Sequence, residues 1–369
     1  MTKKKITVAL FCLGLVLQGL AQSNSSTRTA PLGDLKSTNN PTFQLLDIAP
    51  SSISQPADPK ELGLSLQQTI SSGSALPKNF AISVAPYWYF KPAGENVYKY
   101  LNLPYAGKNH TFSGIARKLS VSVSSTFNDS TSGSLLKNTN YFAGGITTNI
   151  LTIRQAKDQD TIANLLTIIS SRIHTAQRQP IDSVAKFLAK DSIYVKASKD
   201  LQDAIGGMSL PLFQVDAAGA YSEAFAGNAT SSSRFSRVAG WVTATLSTPL
   251  SKTHNDNLSI LGLFKLMDDN LLVDTAKNTF ERKSAIDIGG RLSYTNKTIT
   301  IGFEFIQRSY SGASVYNSHR AVGLLQYKVN DNIYLTGSFG QNFGSSVTNL
   351  FTALGLSFGF GNKAQTLPD

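Results

Sequence analysis

Beyond residue 59, apolar and polar residues alternate with a period of two, as in strands whose two faces meet different surroundings. "LSVSVSSTF" sets Leu119, Val121 and Val123 against serines. "LGLSLQ" carries Leu62, Leu64 and Leu66 on one face, and "FAISVAPYWYF" carries Phe80, Ile82 and Val84. The alternation returns at Leu258, Ile260, Gly262, Phe264 and Leu266, at Ile286, Ile288, Leu292 and Tyr294, and at Ile299, Ile301, Phe303 and Phe305. Further strands are predicted near 140–153, 209–223, 235–249, 319–329, 333–341 and 349–360, which makes twelve. Each is about ten residues long, enough for a tilted strand to cross a bilayer. Tyr87-Trp88-Tyr89, Tyr294, Tyr310 and Tyr327 fall near strand ends, where interfacial aromatic girdles sit.

One long stretch breaks the pattern. In 154–207, Ile162, Leu165, Leu166, Ile169 and Ile173 follow helical spacing, and Asp160 and Thr161 are placed to cap the start. Pro180 ends this helix, and Ile181, Val184, Phe187 and Leu188 begin a second, short one.

The last apolar stretch, "TNLFTALGLSFGF", has Leu350, Leu354, Leu356, Phe358 and Phe360 on even positions and Ala353, Gly355, Ser357 and Gly359 on odd ones. The greasy face suits lipid, and the bare face suits a crowded lumen. Residues 353–360 resemble the C-terminal signal by which bacterial outer-membrane β-barrels are recognised for insertion. That pattern is a polar residue, any, glycine, two of any, an aromatic, any, an aromatic. Gly355, Phe358 and Phe360 match it, whereas Ala353 stands at the polar position and a tail, "GNKAQTLPD", follows. The resemblance covers these eight residues and the general alternation. It implies an all-β fold, a transmembrane antiparallel up-and-down β-barrel in the cell outer membrane. Outer-membrane lipid and the barrel-assembly machinery would be its partners.

Bacterial barrels have even strand numbers, short periplasmic turns and longer outer loops. "TNK" (295–297) and "NDN" (330–332) are the tightest connections and read as periplasmic turns, leaving 309–316 and 342–348 outside. The same count puts 154–207 on the periplasmic side, where it folds on itself or docks a periplasmic protein.

Charge enters through strand parity. An Arg or Lys on the lipid face at the bilayer midplane costs about 2–4 kcal/mol, so charges inside strands belong to the lumen. Asp287 and Arg291, Glu304 and Arg308, and Arg320 and Lys328 all fall opposite the apolar set, with Asp216, Arg237 and Lys265 as companions. The "TNK" hairpin is expected to pair Gly289 with Glu304, leaving Arg291 diagonal to Glu304 and able to bridge to it. Such a ladder serves as a lining for anionic solutes or as an ionic clamp filling a narrow barrel.

Upstream, Lys3 to Lys5, an apolar run from Ile6 to Leu20 and Gly19-Leu20-Ala21 read as a signal peptide cut after Ala21. Residues 22–58 are rich in Ser, Thr, Asn and Pro around one apolar knot, "FQLLDI", and read as a periplasmic arm or a plug segment of the barrel spanning 59–360. Cys12 is the only cysteine, so the mature chain has no thiol chemistry. The net charge of +11 falls to +8 without the three leader lysines, and 15% of residues are charged, few for a soluble protein of this size. An exported basic chain meets lipid head groups or anionic solutes rather than nucleic acid.

His110, His174, His254 and His319 are scattered, with no nucleophile at a characteristic spacing, no two-histidine metal pattern and no phosphate loop. No cofactor, metal or catalytic residue is expected. The leading function is a small channel or transporter for small, anionic solutes. The alternative is a non-conducting structural or docking barrel of an envelope assembly, and a membrane-embedded hydrolase comes third.

Overall fold

The computed structural model describes residues 29–31, 40–53, 61–69, 79–90, 95–101, 114–128, 138–180, 183–206, 208, 210–227, 229–251, 256–274, 276–330, 332–344, 350–360 and 364–366. The expected leader lies outside the described residues, as do His110 and His254. A short strand β1 (Thr29–Pro31) precedes the barrel. The barrel strands are β2 (Leu62–Thr69), β3 (Asn79–Val84), β4 (Ser120–Asn128), β5 (Thr139–Ile153), β6 (Phe213–Ala226) and β7 (Ser233–Pro249). They continue as β8 (Asn257–Asp274), β9 (Thr279–Thr295), β10 (Ile299–Tyr310), β11 (Ser318–Asn330), β12 (Ile333–Gln341) and β13 (Leu350–Phe360).

Each strand pairs antiparallel with the next, and β13 pairs with β2, Phe360 opposite Leu62, so the twelve-stranded sheet closes and leaves no edge. A last strand, β14 (Ala364–Thr366), pairs with β1 outside the barrel.

The alternation sets the two faces. Ile260, Phe264, Ile288, Leu292, Ile301, Phe303, Leu325 and Phe339 are exposed on the outer wall. Ser122, Ser124, Ser222, Thr243, Thr245, Ser293 and Thr300 are buried within. This inverts a water-soluble sheet protein and matches a wall surrounded by hydrocarbon. Phe303→Arg is therefore expected to cost about 2–4 kcal/mol. Thr300→Arg, on the inner face near the strand's end, should cost less. Urea unfolding followed by the heat-dependent gel shift measures both, and equal losses would mean that the faces are reversed.

The "TNK" turn sets a register two residues away from the expected one. Asn296 Oδ1 accepts from the backbone N–H groups of Thr298 (2.9 Å) and Ile299 (2.8 Å), and Asn296 N donates to Ile299 O. Thr295 therefore faces Thr300, Arg291 lies directly opposite Glu304, and Gly289 faces Ile306. A shift of two leaves every side chain on its face, so the apolar pattern cannot detect it.

The non-strand insertion holds three helices rather than two: α3 (Ala156–Ala176), α4 (Val184–Lys190) and α5 (Ser192–Gly206), after the shorter α1 (Pro41–Leu45) and α2 (Val97–Leu101). Asp160 and Thr161 do not cap α3, which already starts at Ala156, and the Thr161 hydroxyl donates to Lys157 O within the helix. Asp191 caps α5 instead, accepting from Ile193 N (3.0 Å) and Tyr194 N (3.2 Å). Arg172 Nε on α3 donates to the other oxygen at 2.6 Å, and this bond holds the Asp191 carboxyl below the usual carboxylate range.

Ile162, Leu166, Ile169 and Ile173 pack with Leu201 and Ile205 against Tyr87 and Tyr100. Tyr87, Trp88 and Tyr100 form an aromatic cluster (ring centroids 5.2–5.4 Å apart), so Tyr87 and Trp88 belong to this cap and not to an interfacial girdle. Pro86 has no N–H for the ladder and turns the chain out of β3. Helices α2 to α5 share the barrel end that carries both tight turns, the start of β2 and the end of β13.

Candidate functional site

A segment from outside the wall fills part of the lumen. Asn40 accepts from Thr42 N at 3.0 Å and caps α1, with Pro41 at its first position. Two residues past the end of α1, Asp47 takes a φ of 59°, a left-handed conformation that Asp tolerates, and the chain reverses. Phe43 and Ala49 pack on Ala81 of β3. Leu45 and Ile53 are buried with Ala220, Trp241, Leu261 and Ile306 of β6 to β10. Residues 40–53 thus touch opposite sides of the barrel and lie across its lumen, in the place of a plug.

Two prolines explain the bare inner faces. A Cβ added at Gly355 would stand 3.4 Å from Pro50 Cγ, and one at Gly145 would stand 3.0 Å from Pro41 Cγ. A larger side chain at either position would meet the plug.

One arc of wall, β7 to β11, holds the plug by charge. Buried ionised side chains on the described barrel strands are Arg237, Lys265, Arg291, Arg308 and Arg320 against Asp269, Asp287 and Glu304, five cations to three carboxylates. Arg237 gives Nε (3.0 Å) and Nη2 (2.9 Å) to Asp269, and Arg308 gives Nε (2.7 Å) and Nη2 (2.8 Å) to Asp287. Each arginine therefore spends one edge on the wall and turns the other to the lumen. There Arg237 Nη1 (2.6 Å), Arg308 Nη1 (2.7 Å) and Arg308 Nη2 (2.8 Å) all donate to the Asp47 carboxylate. Arg237 Nη1 also reaches Leu45 O, and Lys265 Nζ donates to Gln44 O at 3.2 Å.

Glu304 has no exposed surface and works the other way round, as an acceptor for the plug. It receives Ser51 Oγ (2.5 Å), Ser52 N (3.0 Å) and Ile53 N (3.1 Å), besides Arg320 Nε at 3.0 Å. Arg320 Nη2 donates to the carbonyls of Ala49 (2.9 Å) and Pro50 (2.7 Å). Arg291 makes no ion pair among the described residues; its Nη1 donates to Ser51 Oγ at 3.2 Å, and its buried Nε has no partner there. Arg291 thus reaches Glu304 through a plug hydroxyl and not by the expected direct bridge.

Seven of the nine lumen candidates, Arg237, Lys265, Asp287, Arg291, Glu304, Arg308 and Arg320, meet in this arc. Asp216 stands apart, accepting from Asn149 Nδ2 (2.9 Å) and Gln214 Nε2 (2.8 Å). Lys328 is half-buried near the end of β11, away from the arc. Tyr310, expected among interfacial aromatics, points inward, and its hydroxyl donates to Asp269 at 2.9 Å. Phe360 is exposed on the outer wall and Gly355 is buried inside, with Phe358 between these extremes.

Sequence reasoning missed Asp47, Ser51, Asp269 and Asn342. Asp269 shares the parity of Lys265 and was within reach of the period-two rule had β8 been extended past Leu266. Asn342 donates to Asp47 O at 2.9 Å and accepts from Arg320 Nη1 at 2.6 Å, in a loop that follows no period.

No family model matches this chain, and no curated protein matches it. Among solved structures, a KdgM porin is similar at 9% identity and TM-score 0.35, covering 81% of this chain and 99% of that one. A NanC porin (11% identity, TM-score 0.36) and LpxR from Salmonella typhimurium (6%, 0.37) have the same coverage. At this distance the likeness is one of fold alone.

Proposed function

We propose that the chain is an outer-membrane barrel that passes small anionic solutes and is closed, in the state described, by its own N-terminal plug. One observation carries this reading. The wall arc holds two more buried cations than carboxylates, and part of the deficit is met by Asp47, on a segment that is not wall. A cluster serving only to fill the barrel has no need of a surplus, because an unmatched buried charge is costly. A surplus facing the lumen instead favours anions wherever the plug withdraws.

In planar bilayers the full chain is expected to stay mostly closed. A variant with residues 40–53 replaced by a Gly/Ser linker should conduct, with a reversal potential that favours anions. A folded linker variant, verified by its gel shift, that is silent or prefers cations would reject the channel.

Silence would promote the alternative, a non-conducting docking barrel. Ile193 and Val195, exposed on α5 of the helical cap, support that reading as a surface for a periplasmic protein.

A further inference from the structure

The Asp47 seat is preformed by the wall. Asp269 and Asp287 each grip an arginine side-on, and the Tyr310 hydroxyl steadies Asp269. The guanidinium edges left over point at one place, where three N–H groups lie 2.6–2.8 Å from two coplanar oxygens. That geometry fits a carboxylate, since paired parallel N–H···O bonds match its planar fork. The seat is also less sealed on its Arg237 side than on its Arg308 side, where the arginine side chain is 2% exposed. The side chains of Arg237 and Asp47 are 10% and 11% exposed, against 0% for both Arg320 and Glu304.

We propose that Arg237 and Arg308 form a carboxylate-binding site that Asp47 occupies as a tethered stand-in, and that a carboxylate solute opens the lumen by competing for this seat. The opening step rests on the channel reading above, whereas the binding step does not. The neighbouring anchors suit a release that starts at Asp47 while Glu304 keeps its hold on Ser51, Ser52 and Ile53. Lys265 and Arg320 hold backbone carbonyls of the plug, neutral groups that are readily exchanged for water once Asp47 has left. Arg291, without a carboxylate of its own, adds a further cation to the same arc of the lumen.

A tethered group competes at an effective concentration of about millimolar, so a free carboxylate must exceed roughly that value. Trp241 reports the exchange, since Lys265 Nζ lies 5.5 Å from its ring and holds Gln44 O. The chain has two tryptophans, and Trp88→Phe leaves Trp241 as the only one, excited selectively at the red edge of the absorption. In detergent, this variant is titrated with sodium acetate, sodium chloride and sodium sulfate at matched ionic strength. Acetate is expected to give a saturable red shift of Trp241 emission that chloride and sulfate do not give. Adding Asp47→Asn should produce the shifted emission in chloride alone.

In bilayers, acetate should raise the open fraction of the full chain. A saturable shift without any conductance would overturn the channel reading and leave the carboxylate site standing. A chain that conducts in chloride and shows no shift with acetate would overturn the site and leave the channel. An equal shift with sulfate would overturn carboxylate selectivity. Should Asp47→Asn fail to fold, the titration of the Trp88→Phe chain decides alone.

Discussion

Arg308→Met is expected to destabilise the barrel by at least about 3–5 kcal/mol, the range for breaking a buried ion pair from one side. Arg308 stands between two carboxylates, Asp287 on the wall and Asp47 on the plug, and donates twice to each. Methionine fills much of the same volume but leaves both carboxylates buried, with Lys265 Nζ 3.7 Å from Asp287 as the remaining close cation there. Arg308→Lys should recover only part of the loss, because one ammonium cannot offer two flat edges. Adding Asp47→Asn to Arg308→Met should also recover part, by removing one stranded charge. Urea midpoints of the single and double variants measure the coupling. An Arg308→Met midpoint equal to that of the parent chain would show that the cluster does not hold the plug.

Glu304→Gln is the second large effect, expected at about 3–5 kcal/mol. The amide keeps one oxygen for Arg320 or for the plug, but its NH₂ group then confronts Ser52 N or Ile53 N, backbone groups that can only donate. Leaving such buried donors without an acceptor costs about 1–3 kcal/mol. The loss should appear in the unfolding midpoint and as faster amide hydrogen exchange at Ser52 and Ile53. A lowered midpoint with unchanged exchange at these two amides would place the effect in the wall alone.

The barrel was legible because its rule is local. Period-two alternation needs only neighbours in sequence, and it gave twelve strands and their faces from Leu62 to Phe360. The arc of charge was legible for the same reason, since Asp287, Arg291, Glu304, Arg308 and Arg320 sit on strands whose parity the apolar residues declare. Asp47 was not. It lies in a knot without alternation, and its partners follow 190 and 261 residues later in the chain. The register of β9 on β10 was equally hidden, because Asn296 fixes it and a slip of two changes no face. The third helix escaped because α5 is announced by a cap, Asp191, that also ends the helix before it.

The seats of the plug also impose an order of events during assembly. Residues 40–53 precede every barrel strand in the chain, yet Arg237, Glu304, Arg320 and Gly355 lie on β7, β10, β11 and β13. Before β7 to β10 arrive, Leu45 lacks most of its apolar neighbours and Asp47 has no counter-charge. The chain must therefore carry the segment loose until the final strand arrives. Pro50 meets Gly355 on β13, and β13 zips onto β2, the strand into which the plug's own chain runs. Ring closure and plug capture are thus coupled at one seam, and a ring that closed early would have to draw fourteen residues in through its end.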